Sequence, residues 1–175
     1  ATAGADGARG EVEVHPLSRL QQTVARRMAE SRATVPAFEL RADVDMSACA
    51  DLRERLRAIG ADPLPTYTDL IVKACAVALR EFPRVNGAYR GEVFEHYSRV
   101  NVGVAVAADD ALVVPVVHDA DRASLGAIAR TTRTLAARVR DGSITPPELS
   151  GATFTVSNLG MFGIDAFTAI VEHAD

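Results

Sequence analysis

The sequence predicts a two-layer α+β domain built around a mostly mixed β-sheet. Helical apolar stripes and short strand-like runs are interleaved, the strands do not alternate strictly with the helices, and no stretch repeats internally. Length fits a single unit, because 175 residues suffice for one ordinary core and are too few for two. Aromatic residues make up only 5% and tryptophan is absent, so Ala, Val, Leu and Ile must fill that core.

Ala1 to Gly10 combine four alanines and three glycines with a few charges, which is the composition of a linker or of an expression scar. Residues 1–11 are therefore assigned to a linker remnant and residues 12–175 to the domain. Leu17, Leu20, Val24 and Met28 then fall at spacings of three and four, Ser18 and Gln21 can form a capping box, and Pro36 ends this first helix. Phe38 to Asp45 alternates apolar and polar residues and predicts a half-buried strand. Cys49, Leu52, Leu56 and Ile59 form a second helical stripe, closed by Gly60. After the Pro63 and Pro65 loop, Thr66 to Phe82 reads as a third helix with Thr66 and Asp69 near its start. Its interior is polar only at Lys73 between Leu70 and Leu79, which predicts burial on most sides. Val93–Phe94, Val100 to Ala107 and Leu112 to Val117 read as strands, with a turn at Asp109-Asp110 between the last two. Ala123 to Arg140 is a fourth helix stopped by Gly142, and Ala152 to Val156 a further strand after the Pro146-Pro147 turn. Ser157 to Gly163 follows as a tight connection holding two glycines.

Charge and cysteine content narrow the function classes. The formal charge is −4, and Lys73 is the single lysine among 19 basic residues, a balance unlike that of a general nucleic-acid binder. No apolar run reaches the roughly 20 residues of a membrane span. Cys49 and Cys75 cannot make a disulfide framework, which makes a reducing compartment the expectation. His15, His96, His118 and His173 are scattered without a metal-ligand spacing, so no metal site is assigned. Neither cysteine is flanked by a histidine or basic pair that would activate it, and Cys75 is expected to pack.

Ser157 stands out by position. It ends a strand and enters the turn Ser157-Asn158-Leu159-Gly160, so a rigid scaffold would hold its side chain within reach of a substrate. The same residues can also be read as a turn in which Ser and Asn satisfy local backbone groups.

Several blocks of the chain resemble the dihydrolipoamide acyltransferases that form the catalytic core of 2-oxoacid dehydrogenase complexes. They begin with Pro16-Leu17-Ser18-Arg19-Leu20, Ala25-Arg26-Arg27-Met28-Ala29-Glu30-Ser31 and Thr68-Asp69-Leu70-Ile71-Val72-Lys73-Ala74, and continue with Ala78-Leu79 and Pro83. Asn101-Val102-Gly103-Val104-Ala105-Val106, Leu112-Val113-Val114-Pro115-Val116-Val117, Pro147-Glu148-Leu149 and Phe154 to Gly160 complete the set in the same order. The resemblance implies a chloramphenicol-acetyltransferase-like fold working as a homotrimer with active sites between subunits, and in the intact protein a higher cage. It implies acyl transfer between a dihydrolipoyl thiol and coenzyme A, with acetyl favoured over branched-chain acyl groups by Ser157 to Gly163, Phe167 and Ala169-Ile170. The lipoyl group would be carried on a separate lipoyl domain, and the further partners would be a 2-oxoacid decarboxylase and a dihydrolipoamide dehydrogenase. The compartment implied is the bacterial cytoplasm, or the mitochondrial matrix for a eukaryotic chain. By position in the motif Ser157 is the oxyanion donor, and Asn158 is assigned to substrate contact.

The family's general base lies in a His-x-x-x-Asp-Gly motif near the C-terminus, and these residues contain none. His173 stands where the family usually has residues such as Asn and Pro, so it is not assigned as the base. Ala111 replaces a usual glycine, and Ala37 a frequent histidine. The expectation is thus a C-terminally incomplete catalytic domain, inactive by itself, with uncovered apolar surface that favours self-association. Its alternative is a non-catalytic assembly or binding module derived from the same core. An antibiotic acetyltransferase of the same fold fits less well, given the linker-like start and the Ser157-to-Gly163 sequence.

Overall fold

Helix α3 (Tyr67–Glu81) shows how the sequence places the core. In the computed structural model, which describes residues 10–108 and 112–171, its apolar and capping positions fall on one stripe. Asp69, Val72, Ala76 and Leu79 are buried along that stripe, and a reciprocal Thr66–Asp69 capping box fixes the start. Helix α4 (Leu125–Arg140), capped by Ser124, buries Ile128, Ala129, Leu135 and Val139 against it. Helices α1 (Arg19–Thr34) and α2 (Ser47–Ala58) precede them in the chain.

Seven short strands supply the second layer: β1 (Gly87–Arg90), β2 (Val93–His96), β3 (Val102–Val104), β4 (Val106–Ala107), β5 (Leu112–Val113), β6 (Val116–Val117) and β7 (Phe154–Val156). Among the described residues they form three sheets, β1-β2, β6-β3-β7 and β4-β5. The central one is mixed: β3 runs antiparallel to β6 (Val102 opposite Val117) and parallel to β7 (Val104 opposite Val156). Helices α3 and α4 pack on this sheet, and Val72, Val102, Val117 and Ile128 are fully buried between the layers. Gly103 lies at a tight point of the central sheet, where a Cβ would come within 2.8 Å of Val114 Cγ1 and 3.2 Å of Thr155 Oγ1.

The architecture is the expected two-layer α+β domain, with four local corrections. Residues 38–45 form no strand, and Phe38, Leu40 and Val44 are 82%, 88% and 72% exposed. Their alternation marks an apolar face, but among the described residues no strand pairs with this segment. Helix α3 is buried along one stripe rather than on most sides, since Val77 on the opposite face is 49% exposed. The runs 100–107 and 112–117 each divide in two. Pro115 has no N–H to continue a ladder, and its carbonyl accepts the Val104 N–H while Ala105 N–H turns to Val156 O. Finally, β1 was not expected. It pairs with β2 across a two-residue Gly91-Glu92 turn in which Gly91 takes φ +71°. The Asp109-Asp110 turn, Ala111 and the linker through residue 9 lie outside the described residues.

Polar side chains tie the loops to this frame. Lys73 Nζ donates to the carbonyls of Ala120, Asp121 and Ala123 at 3.4, 2.8 and 2.8 Å, so the polar position within α3 holds the approach to α4. Asn101 bonds Gly151 O and the Asp119 N–H, joining the start of β3 to two loops. At the chain's ends, Ser31 of α1 donates to Val171 O, and the carboxylate of Glu39 is hydrogen-bonded by Thr168.

Asp119 gives the fold an acid-sensitive contact. Arg99 Nε and Nη2 donate to its two oxygens at 2.8 and 2.6 Å, and this pairing holds the carboxyl below its ordinary range, helped by the charges of Arg122 and His118. A lowered folded-state value makes the pair stabilising above the unfolded value, about 3.9, and that stability is lost as the pH falls through the folded one. Asp119 has φ +48°, a region asparagine tolerates, so Asp119→Asn removes the charge with little backbone penalty. The variant is expected to melt below the parent at neutral pH, with the gap closing in acid. A gap that persists after the carboxyl is protonated would disprove the pairing's role.

Candidate functional site

Strand β7 delivers the candidate residues to one edge of the core. Val156, 7% exposed, faces inward and its carbonyl accepts the Ala105 N–H at 3.0 Å. Ser157 follows on the outside and is exposed, as alternation along an extended chain requires. Asn158 turns back and is half-buried: its Oδ1 accepts the Gly160 N–H at 2.9 Å and its Nδ2 donates to Thr68 Oγ1 at 3.1 Å. A single 3₁₀ turn, Gly160–Phe162, and Gly163 at φ +72° close the connection.

Beside this loop is a cleft of about 300 Å³ between the first turn of α3 and one face of α4. Thr66, Thr68 and Asp69 line one wall, Thr132, Leu135 and Arg140 another, and Val104, Val106 and Val117 contribute apolar surface. Asn158 and Met161 reach it from the loop, whereas Ser157 does not line it. The Asp69 carboxylate, 2% exposed as a residue, is engaged through both oxygens. It accepts from Thr66 N–H and Oγ1 at 2.7 Å each and from Thr132 Oγ1 at 2.5 Å. It is a structural node that joins the first turn of α3 to α4.

The other candidates are dispersed. His15 is exposed and 3.3 Å from Glu13, His96 is exposed on β2 beside Phe94, and His118 is exposed after β6. None of the three lines the cleft, and His173 lies outside the described residues. Among the described residues no group of three or more His, Cys, Asp or Glu converges in a way that could hold a metal ion. Cys75 is half-buried against the core, and burial pushes its thiol up, away from the thiolate a nucleophile needs. The Thr66–Asp69 box was legible from its spacing. Thr132 joins it from a distant part of the chain and Thr68 meets Asn158 from another, and no local pattern announces either contact.

The two-layer α+β domain is of the chloramphenicol-acetyltransferase-like class, the fold of the solved dihydrolipoamide acetyltransferase cores on which it superposes. The chain belongs to the family of the 2-oxoacid dehydrogenases acyltransferase (catalytic domain), whose sequence profile matches residues 9–175. It is 36% identical over 169 residues to the mitochondrial pyruvate dehydrogenase protein X component of Mus musculus, covering 97% of this chain and 33% of that protein. It is 36% identical over 173 residues to the mitochondrial dihydrolipoyllysine-residue acetyltransferase component of the Schizosaccharomyces pombe pyruvate dehydrogenase complex, covering 98% and 36%. Among solved structures, the dihydrolipoamide acetyltransferase of Azotobacter vinelandii superposes with a TM-score of 0.88 at 33% identity, covering 94% of this chain and 69% of that one. The cubic core of the pyruvate dehydrogenase multienzyme complex gives 0.87 at 32% identity, covering 93% and 69%. The chain thus spans about a third of the length of those two curated relatives, at 33% and 36%.

Proposed function

We propose that residues 12–175 are the acyltransferase core of a 2-oxoacid dehydrogenase complex, following a linker in residues 1–11, and that Ser157 is their contribution to the chemistry. The observation that carries this reading is the placement of Ser157: exposed, immediately after a core strand, in a loop pinned by Asn158. The substrates are coenzyme A and an acyl group, acetyl by the sequence of the Ser157 loop, carried as a thioester on the lipoyl group of a separate domain. The thiol of coenzyme A attacks the thioester carbonyl as a base takes its proton. The Ser157 hydroxyl donates to the oxyanion that forms. Collapse expels the dihydrolipoyl sulfur, which takes up a proton, and leaves acyl-coenzyme A with no acyl-enzyme. In this reading the base belongs to a His-x-x-x-Asp-Gly motif, which these 175 residues do not contain.

Assembly is part of the same proposal. Ser157 faces away from its own core, and large apolar side chains such as Phe38, Leu40, Val44, Phe94 and Phe162 are exposed. Both features support a homotrimer with sites between neighbouring copies, built into a larger cage that works with a lipoyl domain, a 2-oxoacid decarboxylase and a dihydrolipoamide dehydrogenase. The relatives include bacterial and mitochondrial complex components, which supports a bacterial cytoplasmic or mitochondrial matrix setting.

The test is acyl exchange between acetyl-coenzyme A and dihydrolipoamide. The 175-residue polypeptide alone is expected to give negligible turnover, and the full-length gene product robust turnover. Normal turnover by the short polypeptide would refute the role of the missing motif. A full-length product that assembles but stays inactive would instead establish the alternative, a non-catalytic assembly module.

A further inference from the structure

The loop that carries Ser157 is fastened to helix α3 by one side chain. Asn158 donates through Nδ2 to Thr68 Oγ1 at 3.1 Å and accepts the Gly160 N–H on Oδ1 at 2.9 Å, so both ends of the amide are engaged within the protein. The orientation is dictated by chemistry, because a backbone N–H can only donate and must face the amide oxygen. The turn closes tightly over that oxygen, which a Cβ on Gly160 would meet at 3.2 Å.

Thr68 is itself well held. It sits in the first turn of α3 between Thr66 and Asp69, and Asp69 locks that turn both to its own cap and to Thr132 of α4. Hydrogen bonds therefore tie α4 through Asp69 to the first turn of α3, and Thr68 in that turn is tied through Asn158 to the backbone beyond Ser157. Before Ser157, the Val156 carbonyl is bonded to Ala105 N–H in the core sheet. Ser157 is thus fixed on one side by the sheet and on the other by Asn158, while its own side chain remains exposed.

We propose that Asn158, anchored by Thr68, is the positioning residue that sets where the Ser157 hydroxyl points. The inference rests on Ser157 being the oxyanion donor, and it gives Asn158 a role other than contact with substrate. A hydroxyl that must meet an oxyanion within hydrogen-bond distance is sensitive to small displacements, and a misplacement of about 1 Å can cost on the order of a hundredfold in rate. Such a loss appears in kcat, because the interaction is made in the transition state.

The test uses the full-length assembled protein, with acetyl-coenzyme A and dihydrolipoamide as substrates and Asn158→Ala, Thr68→Val, Thr68→Ser and Ser157→Ala as variants. Asn158→Ala and Thr68→Val are each expected to lower kcat about ten- to a hundredfold with both KM values within about twofold. Thr68→Ser, which keeps the hydroxyl, recovers most of what Thr68→Val loses. In the Ser157→Ala background Asn158→Ala is expected to cost nothing further, since there is no hydroxyl left to aim. Thermal melting of each variant separates general unfolding from this effect, and the Thr68 pair decides the matter if Asn158→Ala melts early. Full kcat in Asn158→Ala and Thr68→Val, beside a crippled Ser157→Ala, overturns the positioning role and leaves the oxyanion role standing. A raised KM at constant kcat overturns it in favour of substrate contact. Equal losses in the parent and Ser157→Ala backgrounds overturn it in favour of a purely structural one. Full activity in Ser157→Ala overturns both readings together.

Discussion

Ser157→Ala in the full-length assembled enzyme is expected to lower kcat for acyl transfer about 10²–10³-fold, the usual cost of losing one oxyanion donor. In the proposed role the hydroxyl acts on charge that exists only once the thioester carbonyl has become tetrahedral, which makes the expected loss this large. KM for either thiol should change little, since neither ground-state substrate carries that charge. The variant should also fold normally. Ser157 is exposed, it anchors no other element by any described hydrogen bond, and surface substitutions of this kind usually move stability by within about 0.5 kcal/mol. Ser157→Thr keeps a hydroxyl at the same place and should retain most of the activity. Steady-state kinetics of the two variants decide the point. An alanine variant that keeps its rate would remove Ser157 from the mechanism, whatever the fold.

The parts of this molecule that could be read in advance are those whose causes are local. The Ser18–Gln21 box and the start of α3 at Thr66 and Asp69 follow from residue types at fixed spacing, whereas α4, read from Ala123, starts at Leu125 after the Ser124 cap. The central strands were legible as apolar runs, but their division at Pro115 and Ala105 depends on which carbonyl receives each N–H, and that is a pairing property. Strand β1 escaped notice because Gly87-Ala88-Tyr89-Arg90 is short, opens on glycine and shows no alternation, so β2 and the Gly91 turn define it. The segment 38–45 carries a correct pattern with no pairing strand among the described residues. Its period of two says that one face is apolar and leaves open which surface covers it. Site reading divided the same way. Ser157 emerged from its place at a strand end together with a family motif, whereas the links from Thr132 to Asp69 and from Asn158 to Thr68 join parts of the chain far apart in sequence.

Asp69→Ala is expected to be the most damaging single change to stability considered for this domain. Its carboxylate closes the α3 cap through the Thr66 N–H and hydroxyl and receives the Thr132 hydroxyl from α4, all in a setting where the residue is 2% exposed. Alanine removes the capping contribution, about 1 kcal/mol, and a hydrogen bond to a charged group, about 1.5–3 kcal/mol, for a total of about 3 kcal/mol. Asp69→Asn should cost less, because its one amide oxygen can still accept from either threonine, though not from all three donors at once. Thr132→Val removes the α4 contact alone and leaves the α3 cap closed, so about 1–2 kcal/mol is expected. In the Asp69→Ala background the same threonine change should cost almost nothing, which is the coupling a shared hydrogen bond requires. Denaturation midpoints of the four proteins test this set, and additive losses would show that the two helices are joined by packing alone. The consequence extends beyond stability. Thr68 lies in the same first turn, so loosening Asp69 releases the anchor of Asn158. An Asp69→Ala protein held well below its melting temperature should therefore lose kcat in proportion to how far the Ser157 loop drifts, with Ser157, Asn158 and Thr68 all still in place.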